Sequence, residues 1–245
     1  MEGIDAKDGV SNGLIYGNKV YNLPRLGIYI DAWDSLTEEI DVYNNIVYNC
    51  SEGIRANSEN GGLIRNVQVY RNHAYNNTGC GYWVGVGGIG DSHPVDFIIF
   101  DSNIARGNGK DGIRISVPSG GSTDHIIIRN NLIYRNERAG IMVADFSRDD
   151  TGLIGEVEII NNTVYKNGTD NLWGVGGIMI TSSPEGRRAI KRDPLFSNAS
   201  GGDFHLRASS PCIDKGTIAL SPTHGYEGTP RPQGAGVDIG AYESF

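Results

Sequence analysis

The stretch Val42-Tyr43-Asn44-Asn45-Ile46-Val47-Tyr48, with Gly53-Ile54 just beyond it, decides the fold because its spacing returns along most of the chain. The asparagine recurs at Asn18, Asn45, Asn72, Asn103, Asn131 and Asn162, at intervals of 27, 27, 31, 28 and 31 residues. Three places before it stand Ile15, Val42, Val69, Phe100, Ile128 and Ile159. Two places after it come Val20, Val47, Ala74, Ala105, Ile133 and Val164, and three after it Tyr21, Tyr48, Tyr75, Arg106, Tyr134 and Tyr165. Each repeat then reaches a glycine with an apolar neighbour: Gly27-Ile28, Gly53-Ile54, Gly81-Tyr82, Gly112-Ile113, Gly140-Ile141 and Gly177-Ile178. Repetition at this period marks a solenoid, in which each repeat stacks on the one before.

Inside a repeat, apolar and polar residues alternate, as in Ile40-Asp41-Val42 and Ile113-Arg114-Ile115. That two-residue period belongs to strands with one face inward, and no long stretch carries helical spacing. Each repeat predicts three short strands: one before the asparagine, one after it and one led by the glycine. Like positions in successive repeats then stack in parallel at ~4.8 Å per coil. These files predict a parallel β-helix of about six regular coils. The three-strand coil with an asparagine bend resembles the right-handed, pectate-lyase-like class of single-stranded parallel β-helices, an all-β fold. Stacked amides at the bend can bond one another along the rod, so the asparagine file reads as structural. The tyrosine file should face outward as an aromatic stack, read as architecture with a sugar-binding stripe as the alternative.

Glycine is abundant, at 35 residues, without a collagen period, as bends require. A net charge of −8 argues against nucleic acid as a partner. No apolar run approaches the ~20 residues that span a bilayer. The start, Met1-Glu2-Gly3-Ile4-Asp5, lacks the basic and apolar regions of a signal peptide, and the repeat begins almost at once without a capping helix. The expectation is a monomer or a piece of a longer chain. Cys50, Cys80 and Cys212 form no metal spacing. Cys50 and Cys80 fall in corresponding loops of adjacent repeats, which leaves a bridge between them open.

Beyond the repeats, four motifs occur in order: Asp193-Pro194-Leu195-Phe196, Asp203-Phe204-His205-Leu206, Ser210-Pro211-Cys212-Ile213-Asp214-Lys215-Gly216, and Arg231-Pro232 leading to Asp238-Ile239-Gly240-Ala241-Tyr242-Glu243. This set resembles the C-terminal module of secreted bacterial right-handed β-helix repeat proteins. The resemblance implies an end cap, a secreted or cell-surface setting and carbohydrate-related work, and names no reaction. It divides the chain into coils over 1–183 and a last coil with C-terminal cap over 184–245, within one domain.

The glycine-led strand is the best place for a site, because the longest insertions flank it. Alternation sends Ile28/Ile30, Ile54/Ala56, Tyr82/Val84, Ile113/Ile115, Ile141/Val143 and Ile178/Ile180 inward. The outward file is then Tyr29, Arg55, Trp83, Arg114, Met142 and Met179, beside a second file that contains Asp31 and Asn57. Aromatic faces accept the apolar side of sugar rings, and Arg grips carboxylates or sulfates with two parallel hydrogen bonds. Tyr29, Arg55, Trp83 and Asn57 are therefore the candidate substrate-binding residues for an acidic polysaccharide. The bland alternative is that Arg and Trp stack on each other and shield the sheet.

A polysaccharide lyase acting by β-elimination on uronate sugars is the leading function. Arg114, with Arg55, would neutralise the carboxylate, and Lys110 or His93 would serve as base. Asp31 and Asp34 are the candidate ligands for Ca²⁺, with Asp145, Asp149 and Asp150 as a second acidic set. A non-catalytic polysaccharide-binding or adhesin module is the alternative. A glycoside hydrolase comes third, with carboxylate pairs drawn from Asp31 with Asp34, Glu38 or Glu39, or from Asp145 with Asp149.

Overall fold

The structure is a computed structural model that describes residues 1–87, 94–118, 120–146, 152–169, 176–181, 195–199, 201–216, 218 and 221–244. Among the described residues the chain is all-β, with no helix, and its coils lie in three parallel sheets. Sheet A runs in order through Ile4–Lys7, Leu26–Ala32, Glu52–Ser58, Tyr82–Val86, Ile113–Ser116, Ile141–Ala144 and Ile178–Thr181. Sheet B stacks Ser11–Tyr16, Leu36–Tyr43, Leu63–Tyr70, Pro94–Asp101 and Ser122–Arg129, and both Leu153–Ile154 and Val157–Ile160 pair with the last of these. Sheet C holds Lys19–Tyr21, Ile46–Tyr48, His73–Tyr75, Ile104–Arg106, Leu132–Tyr134 and Thr163–Tyr165. This is a parallel β-helix, as the repeat predicts. Sheet A has seven strands, one more than the glycine-led repeats mark, because Ile4 pairs with Ile28 ahead of the first such glycine.

The register is in step through the coils. Ile28 pairs with Ile54, Ile54 with Tyr82, Tyr82 with Ile113, and Ile113 with Ile141. These inward residues join Ile40, Val42, Val67, Val69, Ile98, Phe100, Ile126 and Ile128 of sheet B in one continuous core. Ile180 departs from the inward expectation. It is 59% exposed, on the last strand of sheet A, beyond which no further coil lies among the described residues.

The bend between sheets B and C is a hydrogen-bonded ladder. Nδ2 of Asn45, Asn72 and Asn103 donates to Oδ1 of Asn72, Asn103 and Asn131 at 3.0, 3.1 and 3.1 Å. Each amide also donates to the carbonyl of the preceding coil, as Asn103 does to Val69 at 2.7 Å. A second ladder lies five residues on, where Asn77, Asn108, Asn136 and Asn167 link at 3.0, 2.8 and 2.8 Å. Cys50 heads this second file, its backbone N–H donating to Oδ1 of Asn77 at 3.0 Å. Cys80 belongs to the file of Glu52 instead, so the two cysteines do not correspond, and all three cysteines are free thiols. The residue just before the first ladder is left-handed in every coil: Asn44, Arg71, Ser102, Asn130 and Asn161 have φ of 54°, 54°, 54°, 55° and 52°. Asn tolerates that conformation by local hydrogen bonding, which explains much of its abundance.

The C-terminal motifs pack on the flank of the rod. Phe196, Phe204 and Ala241 form a cluster with Ile104, Leu132 and Tyr134 on the outer side of sheet C. Gly240 N–H donates to Asn161 O at 2.9 Å, and Arg231 donates to Asn130 Oδ1 at 3.0 Å. Tyr134, expected to face outward, is therefore buried beneath this module, whereas the described contacts of the expected end cap are lateral.

Candidate functional site

Sheet A brings the predicted file together. Tyr29 pairs with Arg55, Arg55 with Trp83, Trp83 with Arg114, and Arg114 with Met142. The guanidinium of Arg55 lies 3.8 Å from the centre of the Trp83 ring, and that of Arg114 lies 5.6 Å from it. Trp83 is thus held between two cations, with its indole N–H donating to Ser116 Oγ at 2.8 Å.

Neither cation is free. Arg114 is ion-paired with the carboxylate of Asp111, with Nε donating at 2.7 Å. Arg55 pairs with Glu52 at 3.5 Å and donates to Asn57 Oδ1 at 3.0 Å. Asn57 in turn donates to Glu59 Oε1 at 2.8 Å, and the Tyr29 hydroxyl donates to the same oxygen at 2.7 Å. The outward file is also largely covered: Tyr29, Met142 and Met179 are buried, as are Asp31, Asn57 and Ser116 of the neighbouring file. This corrects the expectation of an open stripe. The charges of this face cancel within the protein, and each partner ties down the next.

Burial raises the pKa of Glu52, against the pull of Arg55, Lys110 and Arg114. Burial works against the charge of Arg114, but Cys80, Asp111 and Glu52 outweigh it and raise its pKa. The Cys80 thiol between Glu52 and Asp111 is pushed up to about 12 by burial, which keeps it protonated and inert. Lys110 is half-buried in the loop before the Arg114 strand, and Arg138 N–H donates to its carbonyl at 3.1 Å. His93, Asp149 and Asp150 lie outside the described residues.

Asp31 and Asp34 do not compose a Ca²⁺ cage. One Asp31 oxygen is taken by the Lys7 ammonium, while Asp34 is exposed and accepts from Ser35 Oγ at 3.0 Å. Six to eight oxygens are needed around Ca²⁺. Asp31 is buried, so burial raises its pKa, partly offset by Lys7. Glu38 and Glu39 belong to sheet B, where Glu38 accepts from Arg65 at 2.7 Å and Glu39 from Asn66 at 2.8 Å. They do not face Asp31 as a hydrolytic pair. Among the described residues, the group close enough to share a metal is Asp96, Asp124 and His125 on sheet B, with ligand atoms within 4.8 Å.

An open surface lies at the corner between sheets B and C. Tyr21, Tyr48 and Tyr75 stack with ring centres 5.0 and 4.8 Å apart, as the sequence predicts. A parallel stack of Tyr16, Tyr43 and Tyr70 rises on the other side of the asparagine bend, with spacings of 4.9 Å. Tyr16 and Tyr21 are 56% and 48% exposed. Lys19 sits 5.6 Å over both Tyr21 and Tyr48, and Arg106 lies 4.3 Å over Tyr75. His73 is half-buried beside Tyr75 and accepts from Arg106 Nε at 3.1 Å. Burial and then Arg106 drive its pKa down to about 3. The corner therefore carries two rows of phenol groups, one coil apart, with cations among them.

The tyrosine file three after each asparagine does not reveal the Tyr16–Tyr43–Tyr70 stack. The signal was present in Tyr16, Tyr43 and Tyr70, each two before the asparagine. Glu52 and Asp111 were missed likewise, although Glu52-Gly53-Ile54-Arg55 and Asp111-Gly112-Ile113-Arg114 place an acid three before each arginine.

Among the described residues no helix is long and apolar enough to cross a membrane. No curated protein and no solved structure matches the chain. The family model described as "Right handed beta helix region" matches residues 2–92 and 95–219. With its strands in register and its asparagine bends, the chain belongs to this right-handed β-helix family.

Proposed function

We propose that this β-helix binds an acidic polysaccharide laid along the rod, and that the tyrosine corner is the surface that holds it. The observation that carries the proposal is the paired stack of Tyr16–Tyr43–Tyr70 and Tyr21–Tyr48–Tyr75, spaced 4.8–5.0 Å, with Lys19 over one row. Ring faces inside each stack are covered by the next ring, so the stacks offer edges and hydroxyls. A phenol hydroxyl both donates and accepts, which suits the hydroxyls of successive sugar units. Lys19 adds attraction for carboxylates or sulfates. Sheet A supports binding less well, because both of the nearest cations to Trp83 are neutralised from within.

β-Elimination at sheet A is the second reading, favoured by the convergence of Arg55, Lys110 and Arg114 on Glu52. Incubation with alginate, pectate and glycosaminoglycans separates the two. The binding reading expects slowed migration through a gel containing one of these polymers, with no absorbance from a new unsaturated bond. Absorbance that grows with time refutes it and installs the lyase.

A further inference from the structure

The Tyr16–Tyr43–Tyr70 stack ends in a cleft that the periodic coils alone do not make. The next position in its file is Asp101, paired with Tyr70 across the sheet. No aromatic ring among the described residues continues the stack beyond Tyr70, whose other face Tyr43 covers at 4.9 Å. Tyr70 lines a cleft of ≈ 180 Å³ together with Gln68, Arg71, Asp101 and, from the C-terminal module, Thr223 and His224. This suits one sugar ring and is smaller than the ~300–1,000 Å³ typical of sites for drug-sized ligands.

The walls are fixed. The Thr223 carbonyl accepts from Arg231 N–H at 2.9 Å, and His224 bridges to Pro230. Thr223 Oγ1 and His224 Nδ1 are 2.9 Å apart, which leaves Nε2 of His224 for a ligand. Asp101 accepts from Arg129 Nε at 2.8 Å and from Ser102 Oγ at 2.7 Å, so its charge is compensated. Arg71 differs: among the described residues its side chain has no acidic partner. It also occupies a left-handed position, φ 54°, where the preceding coil has Asn44 and the one before that Gly17.

The geometry points to a subsite for a single anionic pyranose unit, stacked on the face of Tyr70 turned away from Tyr43, with its carboxylate or sulfate on Arg71. Asp101, Gln68 and His224 receive its hydroxyls. An aromatic face, an uncompensated guanidinium and a ring of hydrogen-bonding groups are what an acidic sugar requires. The subsite deepens the polysaccharide reading and rests on it for the identity of the larger ligand.

Titration of the isotopically labelled full chain with glucuronate, glucose 6-sulfate and glucose, read by NMR, tests it. Saturable shifts at Tyr70, Arg71 and His224 with an anionic sugar, and at least ~10-fold weaker binding of glucose, are expected. The stronger of the two anionic sugars identifies the group that Arg71 receives. Arg71→Asn removes the charge while suiting the left-handed backbone, so it should fold normally and abolish the shifts. Equal binding of glucose, no shifts with either anion, or unchanged shifts in Arg71→Asn overturns the subsite. Retardation of the parent by a polymer, scored separately, decides the wider reading: polymer binding without these shifts removes the cleft and spares the corner. Shifts without polymer binding do the reverse.

Discussion

Sheet A and the tyrosine corner are built by the same rule and end in opposite states. Both stack like residues at one coil's separation, and both place aromatic rings beside cations. In sheet A each cation has an acid three residues earlier on its own coil, so Arg55 and Arg114 are consumed by Glu52 and Asp111. At the corner Lys19 and Arg71 have no such acid, and the outer tyrosines stand open. Repetition builds a surface, and what decides whether it is available is local charge balance. A buried, self-paired stack stabilises the rod, while an unpaired one keeps its capacity for a ligand.

The comparison breaks most visibly at Asp111, which is fully buried against Arg114. Asp111→Ala leaves a largely buried guanidinium without its partner, at a cost of about 4 kcal/mol. Urea unfolding should show that loss, while retardation by the polymer persists in the folded protein. A similar stability for parent and variant would mean that the pair is not what secures sheet A.

A smaller effect is expected at the corner through pH. His73 is neutral in the fold with a pKa near 3, against an ordinary value of 6.5. A depressed His favours the folded state fully above its unfolded pKa, and that contribution is lost as pH falls from about 6.5 toward 3. Between pH 6.5 and pH 5 the loss is about 1.6 kcal/mol. His73→Gln should flatten that part of the stability profile. An unaltered profile would place the acid sensitivity elsewhere.

The coil itself was legible because strand alternation and identical columns are local, periodic signals. The Tyr29–Arg55–Trp83–Arg114 file follows from them, and the pairing register reproduces it. The state of that file was not legible from alternation, since outward on a sheet does not mean exposed: Tyr29 and Asn57 face away from the core yet are buried. The acids that neutralise it were readable, in Glu52 and Asp111, once the glycine-led motif is extended one residue upstream. The second ladder was also written in the sequence, in Asn77, Asn108, Asn136 and Asn167. The cleft was not. Its walls combine Tyr70 and Arg71 with Thr223 and His224, distant in sequence, and an aperiodic module docked on sheet C brings them together.

The most direct measurement compares Tyr43→Ala with Trp83→Ala by electrophoresis through a gel containing the retarding polymer. Tyr43 lies in the middle of the open stack, so its loss should weaken binding by about tenfold, or about 1.4 kcal/mol. Trp83→Ala should lower the melting temperature and leave retardation as in the parent. The reverse result, with Trp83→Ala running free and Tyr43→Ala still held, would contradict the account and return the binding surface to sheet A.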